Sequence, residues 1–269
     1  VQNITDPDIV PYIPDGIGNS TDRQRIPAVL IIPGGAFRRL VYNFEGEDVA
    51  KWLNSMGIAA FVLECRLPSD EHDNAEDVPL IDAMRAMRVI RGRAQEFGID
   101  EAKIGVMGFS AGGFMAALLS TAYESDVYAD YKYKDEYDKL SARPDFAVCS
   151  YPVISIDDCI EAGKRYMSEE QVLERISDSK AKILHKYNPD KLVRPDMPPV
   201  FICETDDDRT TLSENSVGFY MAARKAGVSA ELHIFRTGGH GYGCGDDFAQ
   251  TGEWKVLFTK WIKSIGIIS

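Results

Sequence analysis

A serine set between two glycines, Gly108-Phe109-Ser110-Ala111-Gly112, ends a short apolar run and opens an apolar, alanine-rich segment. A strand that turns sharply into a helix at such a point exposes the serine hydroxyl above a sheet, and flanking glycines leave room for the turn. The helix aims its first amides and the positive end of its dipole at the same spot, so the Ala111 N–H is a candidate donor to an oxyanion. This is the spacing of a nucleophile elbow, and the chemistry it suggests is acyl transfer.

A serine hydroxyl is a weak nucleophile at neutral pH and needs a base, which in turn needs an orienting carboxylate. The chain has only four histidines. His72 falls in a polar loop and reads as a solvated surface residue. His185 lies in a polar stretch, and His233 stands between Leu232 and Ile234 on a strand face. His240 is the expected base, because it sits in Gly238-Gly239-His240-Gly241, where flanking glycines let the ring reach over the serine. Asp206, Asp207 and Asp208 lie between the serine and this histidine and follow an apolar run, which gives the chain order Ser, Asp, His with any of the three as the acid. A second apolar run ends in Pro33-Gly34-Gly35-Ala36. Glycine lets a backbone approach a ligand closely, so the N–H groups of Gly35 and Ala36 are further candidate oxyanion donors.

These side chains can act together only if separate elements converge on them. Continuous apolar runs at 27–32, 58–63, 146–149 and 199–203, with the one that ends at the serine, predict strands buried on both faces, and 230–235 alternates as another. Helical spacing is predicted over 45–56, closed by Gly57, over 213–225 and over 254–265. One long helix is predicted from the stripe Leu80, Ala83, Met84, Met87, Ile90, Ala94 and Phe97; its Arg85, Arg88 and Arg91 read as a solvated face. Strands alternating with helices predict an α/β fold, a mostly parallel central sheet with helices on both faces, formed by residues 1–269 as a single domain. Ligands in such sheets sit at the carboxyl ends of the strands, where Ser110, the aspartates and His240 all fall.

Three stretches break the rhythm. Residues 1–26 are polar, with turn signals at Asp6-Pro7 and Gly18-Asn19-Ser20, and predict an edge strand and loops. Residues 123–145 are acidic and rich in tyrosine (Tyr123, Tyr128, Tyr131, Tyr133, Tyr137) and predict a surface excursion. Residues 155–193 contain a polar helical pattern over 168–185, with Val172, Leu173, Ile176, Ile183 and Leu184 as its apolar positions, and predict a small lid-like insertion. Both of the later stretches are expected to narrow the entrance above Ser110.

The 269 residues carry a net charge of −12, which argues against nucleic acid and anionic membranes as partners and makes a neutral or cationic substrate easier to admit. Five cysteines (Cys65, Cys149, Cys159, Cys203, Cys244) are an odd number, three of them in apolar runs, and read as small core residues in a reduced compartment. The expected location is therefore cytoplasmic. A leader removed before Val1 would make the protein a secreted one instead.

The sequence resembles the α/β-hydrolase fold carboxylesterases, in particular the acetyl-xylan-esterase-like and feruloyl-esterase-like enzymes related to the hormone-sensitive-lipase group. The likeness runs over nearly the whole chain: Pro33-Gly34-Gly35-Ala36, Glu45-Gly46 with Ala50, Arg66-Leu67-Pro68, Asp82-Ala83 with Arg85-Ala86, the elbow, Glu214-Asn215-Ser216, and Gly239-His240-Gly241. It implies the α/β-hydrolase fold and a triad of Ser110, His240 and an acid that stands four residues before a proline. Leu212 occupies the place of that proline; counting back from Glu214-Asn215-Ser216 gives Asp208, with Asp207 as the second choice. The related lipases carry His-Gly-Gly-Gly where this chain has Pro33-Gly34-Gly35-Ala36, a change that keeps the backbone donors.

The expected activity is that of a serine carboxylesterase, removing short acyl groups, acetyl above all, from a small-molecule or oligosaccharide ester through an acyl-enzyme. Sugars or xylan fragments are the expected alcohols, and no metal or cofactor is implied. Two alternatives stand beside it: a serine peptidase of the prolyl-oligopeptidase type, and a non-catalytic hydrolase-fold binding protein.

Overall fold

The computed structural model describes residues 1, 3–16, 25–68, 72–129, 131, 134–177, 182–245 and 250–269. Among the described residues seven strands form one sheet: β1 (Asp8–Tyr12), β2 (Ile26–Ile32), β3 (Ala59–Glu64), β4 (Ile99–Phe109), β5 (Ala147–Ser150), β6 (Val200–Thr205) and β7 (Ala230–Phe235). Their order is β1-β3-β2-β4-β5-β6-β7. Only β1 runs antiparallel, pairing Asp8 with Glu64 and Tyr12 with Ala60, and it is the edge strand expected near the N-terminus. The turn expected at Gly18-Asn19-Ser20 lies outside the described residues.

Side-chain alternation along β2 divides the core in two. Ala28, Leu30 and Ile32 face one layer, packed with α2 (Val78–Gly92), α4 (Ala111–Ala122) and α8 (Ser213–Lys225). Val29 and Ile31 face the other, with α1 (Asp48–Ser55) and α9 (Glu253–Ser264), where Trp254, Phe258 and Trp261 are buried. Burial on both faces is why these strands read as unbroken apolar runs. The parallel register sets the strand ends level: Ile32 pairs with Gly108, Phe109 with Ser150, Ser150 with Cys203, and Thr205 with Phe235. The segments leaving β2, β4, β5, β6 and β7 therefore share one edge. This is an α/β-hydrolase sheet.

Several expectations are corrected. The long helix breaks at Arg93, so that Ala94 and Phe97 belong to a separate turn, α3 (Ala94–Phe97), closed by Gly98 at φ 68°. The arginines of α2 are engaged rather than solvated: Arg85 pairs with Asp135 at 2.6 Å, the Arg88 guanidinium lies 4.0 Å from the centre of the Tyr128 ring, and Arg91 donates to the Ser141 carbonyl at 2.6 Å. They staple the excursion at 123–145 onto α2. Tyr137 packs on Gly92, where a Cβ would come within 2.3 Å of its ring. None of the described tyrosines of this stretch lines the cavity at Ser110, so they do not narrow it; Tyr133 lies outside the described residues.

Of the pattern at 168–185 the structure describes α6 (Glu169–Ser177) and α7 (Lys182–Lys186), preceded by α5 (Ile156–Lys164), while 178–181 lie outside the described residues. Val172 and Ile183 are buried as expected, while the side chains of Leu173 and Ile176 lie outside the described residues. The insertion docks on the first turn of α8 and on the loop before it: Arg165 pairs with Glu214 at 2.7 Å, and the Arg209 guanidinium sits 5.5 Å from the Tyr166 ring centre. No described residue of 155–193 lines the cavity at Ser110. His72 also departs from expectation, being half-buried with Nε2 3.0 Å from the Ile4 carbonyl. Cys65, Cys149, Cys203 and Cys244 are buried, and the Cys159 side chain lies outside the described residues. Among the described residues no helix is long and apolar enough to cross a membrane.

Candidate active site

β4 ends at Phe109, α4 begins at Ala111, and Ser110 between them takes φ 53° and ψ −117°. That left-handed conformation is strained for a residue with a Cβ and persists only where the surroundings impose it. The surroundings are visible. A Cβ on Gly108 would lie 1.9 Å from the Gly112 carbonyl oxygen, and one on Gly112 would lie 1.9 Å from that of Ile32. Both positions must therefore be glycine, and the Ser110 N–H is held by the Ser150 carbonyl at 3.0 Å.

The structure brings three of the expected side chains into line. Ser110 Oγ is 2.9 Å from His240 Nε2, and His240 Nδ1 is 2.6 Å from Asp208 Oδ2. Asp208 is buried, and its other oxygen accepts from the N–H groups of Thr210 at 2.7 Å and Thr211 at 3.0 Å. Burial pushes its carboxyl up. The hydrogen bond and charge of His240, with the two amides, outweigh burial and hold it below the usual carboxylate range.

Asp207 points elsewhere. Its Oδ1 accepts from the N–H groups of Gly238 at 2.9 Å and Gly239 at 2.8 Å, so it braces the loop that carries His240. Asp206 is exposed. His233 lies on β7 with Nε2 2.7 Å from Glu231, and His185 lies on α7; neither is among the residues lining the cavity at Ser110.

Gly35 and Ala36 follow β2 in a tight turn, with φ 133° and 56°, closed by bonds from the N–H groups of Arg38 and Arg39 to the Gly35 carbonyl at 3.1 and 3.3 Å. A Cβ on Gly35 would come 2.0 Å from the Arg39 carbonyl oxygen. Gly35 and Ala36 line a cavity of about 600 Å³ together with Ser110 and His240. Ala111 lines a separate narrow crevice with Gly34, Phe37 and Met115, while its N–H is the first of α4.

Sequence reasoning missed how these loops are tied. The chain enters α1 through a single π-helical turn, Asn43–Glu47, which buries Glu45. Its Oε2 accepts from the Gly34 N–H at 2.7 Å and its Oε1 from the Tyr151 hydroxyl at 2.9 Å, and that hydroxyl accepts from the Gly243 N–H at 3.0 Å. One carboxylate thus links the glycine turn after β2, the end of β5 and the histidine loop. The Glu45-Gly46 motif was visible in the sequence, but nothing local marks a glutamate as buried.

Burial raises the Glu45 carboxyl above its ordinary 4.5, with the bonds from Tyr151 and Gly34 acting against it. A raised folded value means that the folded state holds the proton more tightly, so this group's contribution to stability should fall as pH rises from the ordinary value through the folded value and then level off. The melting temperature of the wild type should therefore lose ground to that of Glu45→Gln as pH rises through this range, a difference in which the shifts of Asp82, Glu204 and Asp208 cancel. Glu45→Ala, which leaves the Gly34 N–H and the Tyr151 hydroxyl unpaired, should cost about 1–3 kcal/mol by chemical denaturation.

A strained serine at a strand-to-helix turn, a histidine on the loop after the last strand and a buried aspartate between them in sequence define an α/β-hydrolase of the carboxylesterase group. Residues 17–222 match the BD-FAE family, and the chain belongs to it. An acetylxylan esterase of Xylanibacter ruminicola is 31% identical over 240 residues, which cover 88% of this chain and 45% of that protein. The chain thus spans less than half the length of the curated relatives it matches. An acetyl ester-xyloside bifunctional hydrolase from Caldicellulosiruptor lactoaceticus superposes with a TM-score of 0.80 at 38% identity, covering 98% of this chain and 89% of the other. Esterase 2 of Thermogutta terrifontis, in a structure phosphonylated by sarin, superposes at 0.77 with 25% identity, over 100% and 93% of the two chains.

Proposed function

We propose that residues 1–269 act as one catalytic unit, a serine carboxylesterase that removes short acyl groups, acetyl first, from sugars or xylan fragments. The observation that carries this reading is the continuous hydrogen-bonded line Ser110–His240–Asp208 opening on a cavity of about 600 Å³. In the proposed reaction Ser110 Oγ attacks the ester carbonyl carbon and passes its proton to His240 Nε2, while Asp208 fixes the tautomer and stabilises the imidazolium. The N–H groups of Gly35, Ala36 and Ala111 take the oxyanion. The alcohol leaves with the proton from His240, and water, deprotonated by the same nitrogen, releases the acid from the acyl-enzyme.

The acetyl and sugar specificity is supported by the relatives, an acetylxylan esterase and an acetyl ester-xyloside hydrolase. The described apolar side chains that line the cavity are Ala36, Val41 and Phe44. The test is kcat/KM across acyl lengths from acetyl to palmitoyl, with an acetylated xylo-oligosaccharide alongside. The expected order falls steadily with chain length, and an optimum at eight carbons or longer would remove the carbohydrate-esterase reading. Hydrolysis of aminoacyl amides in preference to esters would favour the peptidase alternative.

A further inference from the structure

The net charge of −12 favours a neutral or cationic substrate, yet the wall of the catalytic cavity is arranged the other way. Arg38 and Arg39, both exposed, line the cavity that holds Ser110 and His240. They extend from the turn that carries Gly35 and Ala36, and their own N–H groups close that turn on the Gly35 carbonyl. The cations therefore spring from a fixed backbone beside the reacting carbonyl. Among the described residues, no carboxylate lies within ion-pair distance of Arg39. The one described carboxylate of the lining is Glu45, which is 4% exposed and already committed to Gly34 and Tyr151. In a chain with 42 acidic and 30 basic residues, a wall with two guanidinium groups and no exposed described carboxylate runs against the whole-protein balance.

A guanidinium offers a planar fork that matches a carboxylate in two-point fashion, and such pairs are among the stronger hydrogen bonds. The cavity, at about 600 Å³, exceeds what an acetyl group needs and leaves space for the alcohol part of an ester. A short acyl group carries no charge of its own. We propose that the site takes esters whose alcohol portion bears a carboxylate, in a saccharide a uronic acid unit, held by Arg39 with Arg38 beside it. This rests on the esterase reading above and adds the charge of the substrate to it.

The test compares kcat/KM for three acetate esters, 4-acetoxybenzoate, phenyl acetate and a trimethylammonium-substituted phenyl acetate. The quantity read is the anion-to-neutral ratio, compared between proteins so that intrinsic leaving-group reactivity cancels. That ratio should fall about tenfold or more in Arg39→Gln, further in the double Arg38→Gln, Arg39→Gln variant, and much less in Arg39→Lys. In the unmodified protein the same ratio should shrink several-fold as salt rises from about 20 mM to about 500 mM, because an exposed pair is screened. Acetylated xylo-oligosaccharides bearing a uronic acid branch should likewise outperform unbranched ones. An unchanged ratio in Arg39→Gln, a ratio insensitive to salt, or a cation-to-neutral ratio that falls in Arg39→Gln overturns the proposal. If the wild type hydrolyses none of the esters, the esterase reading falls and this proposal falls with it; turnover of phenyl acetate without charge preference sinks this proposal alone.

Discussion

Ser110→Ala is expected to lower ester turnover by on the order of 10⁴ or more, and His240→Ala by a similar factor. Both rest on one geometry: the serine oxygen has His240 Nε2 at 2.9 Å to receive its proton. Removing either group deletes the same step, so the double variant should be little worse than either single one. Folding should survive, since Ser110→Ala keeps the Cβ that the strained turn already accommodates and His240 is half-buried at the mouth of the cavity. Steady-state kinetics on phenyl acetate with melting curves in parallel check this. A tenth of wild-type activity in either folded variant would end the assignment.

The second large effect separates three adjacent carboxylates. Asp208→Asn should cost about 10³–10⁴ in kcat. The reason is the tautomer: the Asn oxygen would keep the Thr210 and Thr211 amides, leaving its NH2 to face His240 Nδ1. The ring proton then moves to Nε2, which can no longer accept from Ser110. Asp207→Asn should cost far less, because an amide oxygen can still accept from the Gly238 and Gly239 N–H groups. Asp207→Ala should fall between the two, through a loosened histidine loop. Asp206→Asn, on an exposed side chain, should be nearly silent. If Asp207→Asn proves the most damaging, the register of the acid is off by one residue.

Much of this arrangement was legible in the sequence, for reasons that differ by element. The parallel strands are buried on both faces, so their apolar runs are unmistakable, and the elbow glycines are forced by carbonyls 1.9 Å from any added Cβ. Leu212, where the related enzymes carry a proline, holds φ −70°, the value a proline ring would impose, and the loop sets Asp208 rather than Asp207 beside His240. Motifs without local chemistry find their purpose only in three dimensions. Arg66 reaches Asp82 at 2.6 Å, and Asn215 accepts from the N–H groups of Ile154 and Ser155 at 2.9 and 3.1 Å.

What was not legible depends on long-range partners. Arg85, Arg88 and Arg91 have the spacing of a solvated helix face, and only the fold shows that residues 123–145 return to cover it. The excursion was expected at the mouth of the site for the same reason: sequence gives its place after a strand end, not the surface it packs on. The cations at the cavity wall were hidden by the overall charge of −12, because net charge averages over a surface while a substrate meets one patch.

The central claim is that Ser110 becomes covalently acylated, and organophosphonate labelling tests it most directly. The 269-residue chain is treated with a fluorophosphonate while ester hydrolysis is followed, then digested and mapped by mass spectrometry. The account predicts one adduct per chain, on the peptide containing Ser110, with label uptake matching loss of activity and no adduct in Ser110→Ala. An adduct on a different residue that tracks the lost activity, or ester hydrolysis that persists once Ser110 is fully labelled, would contradict it.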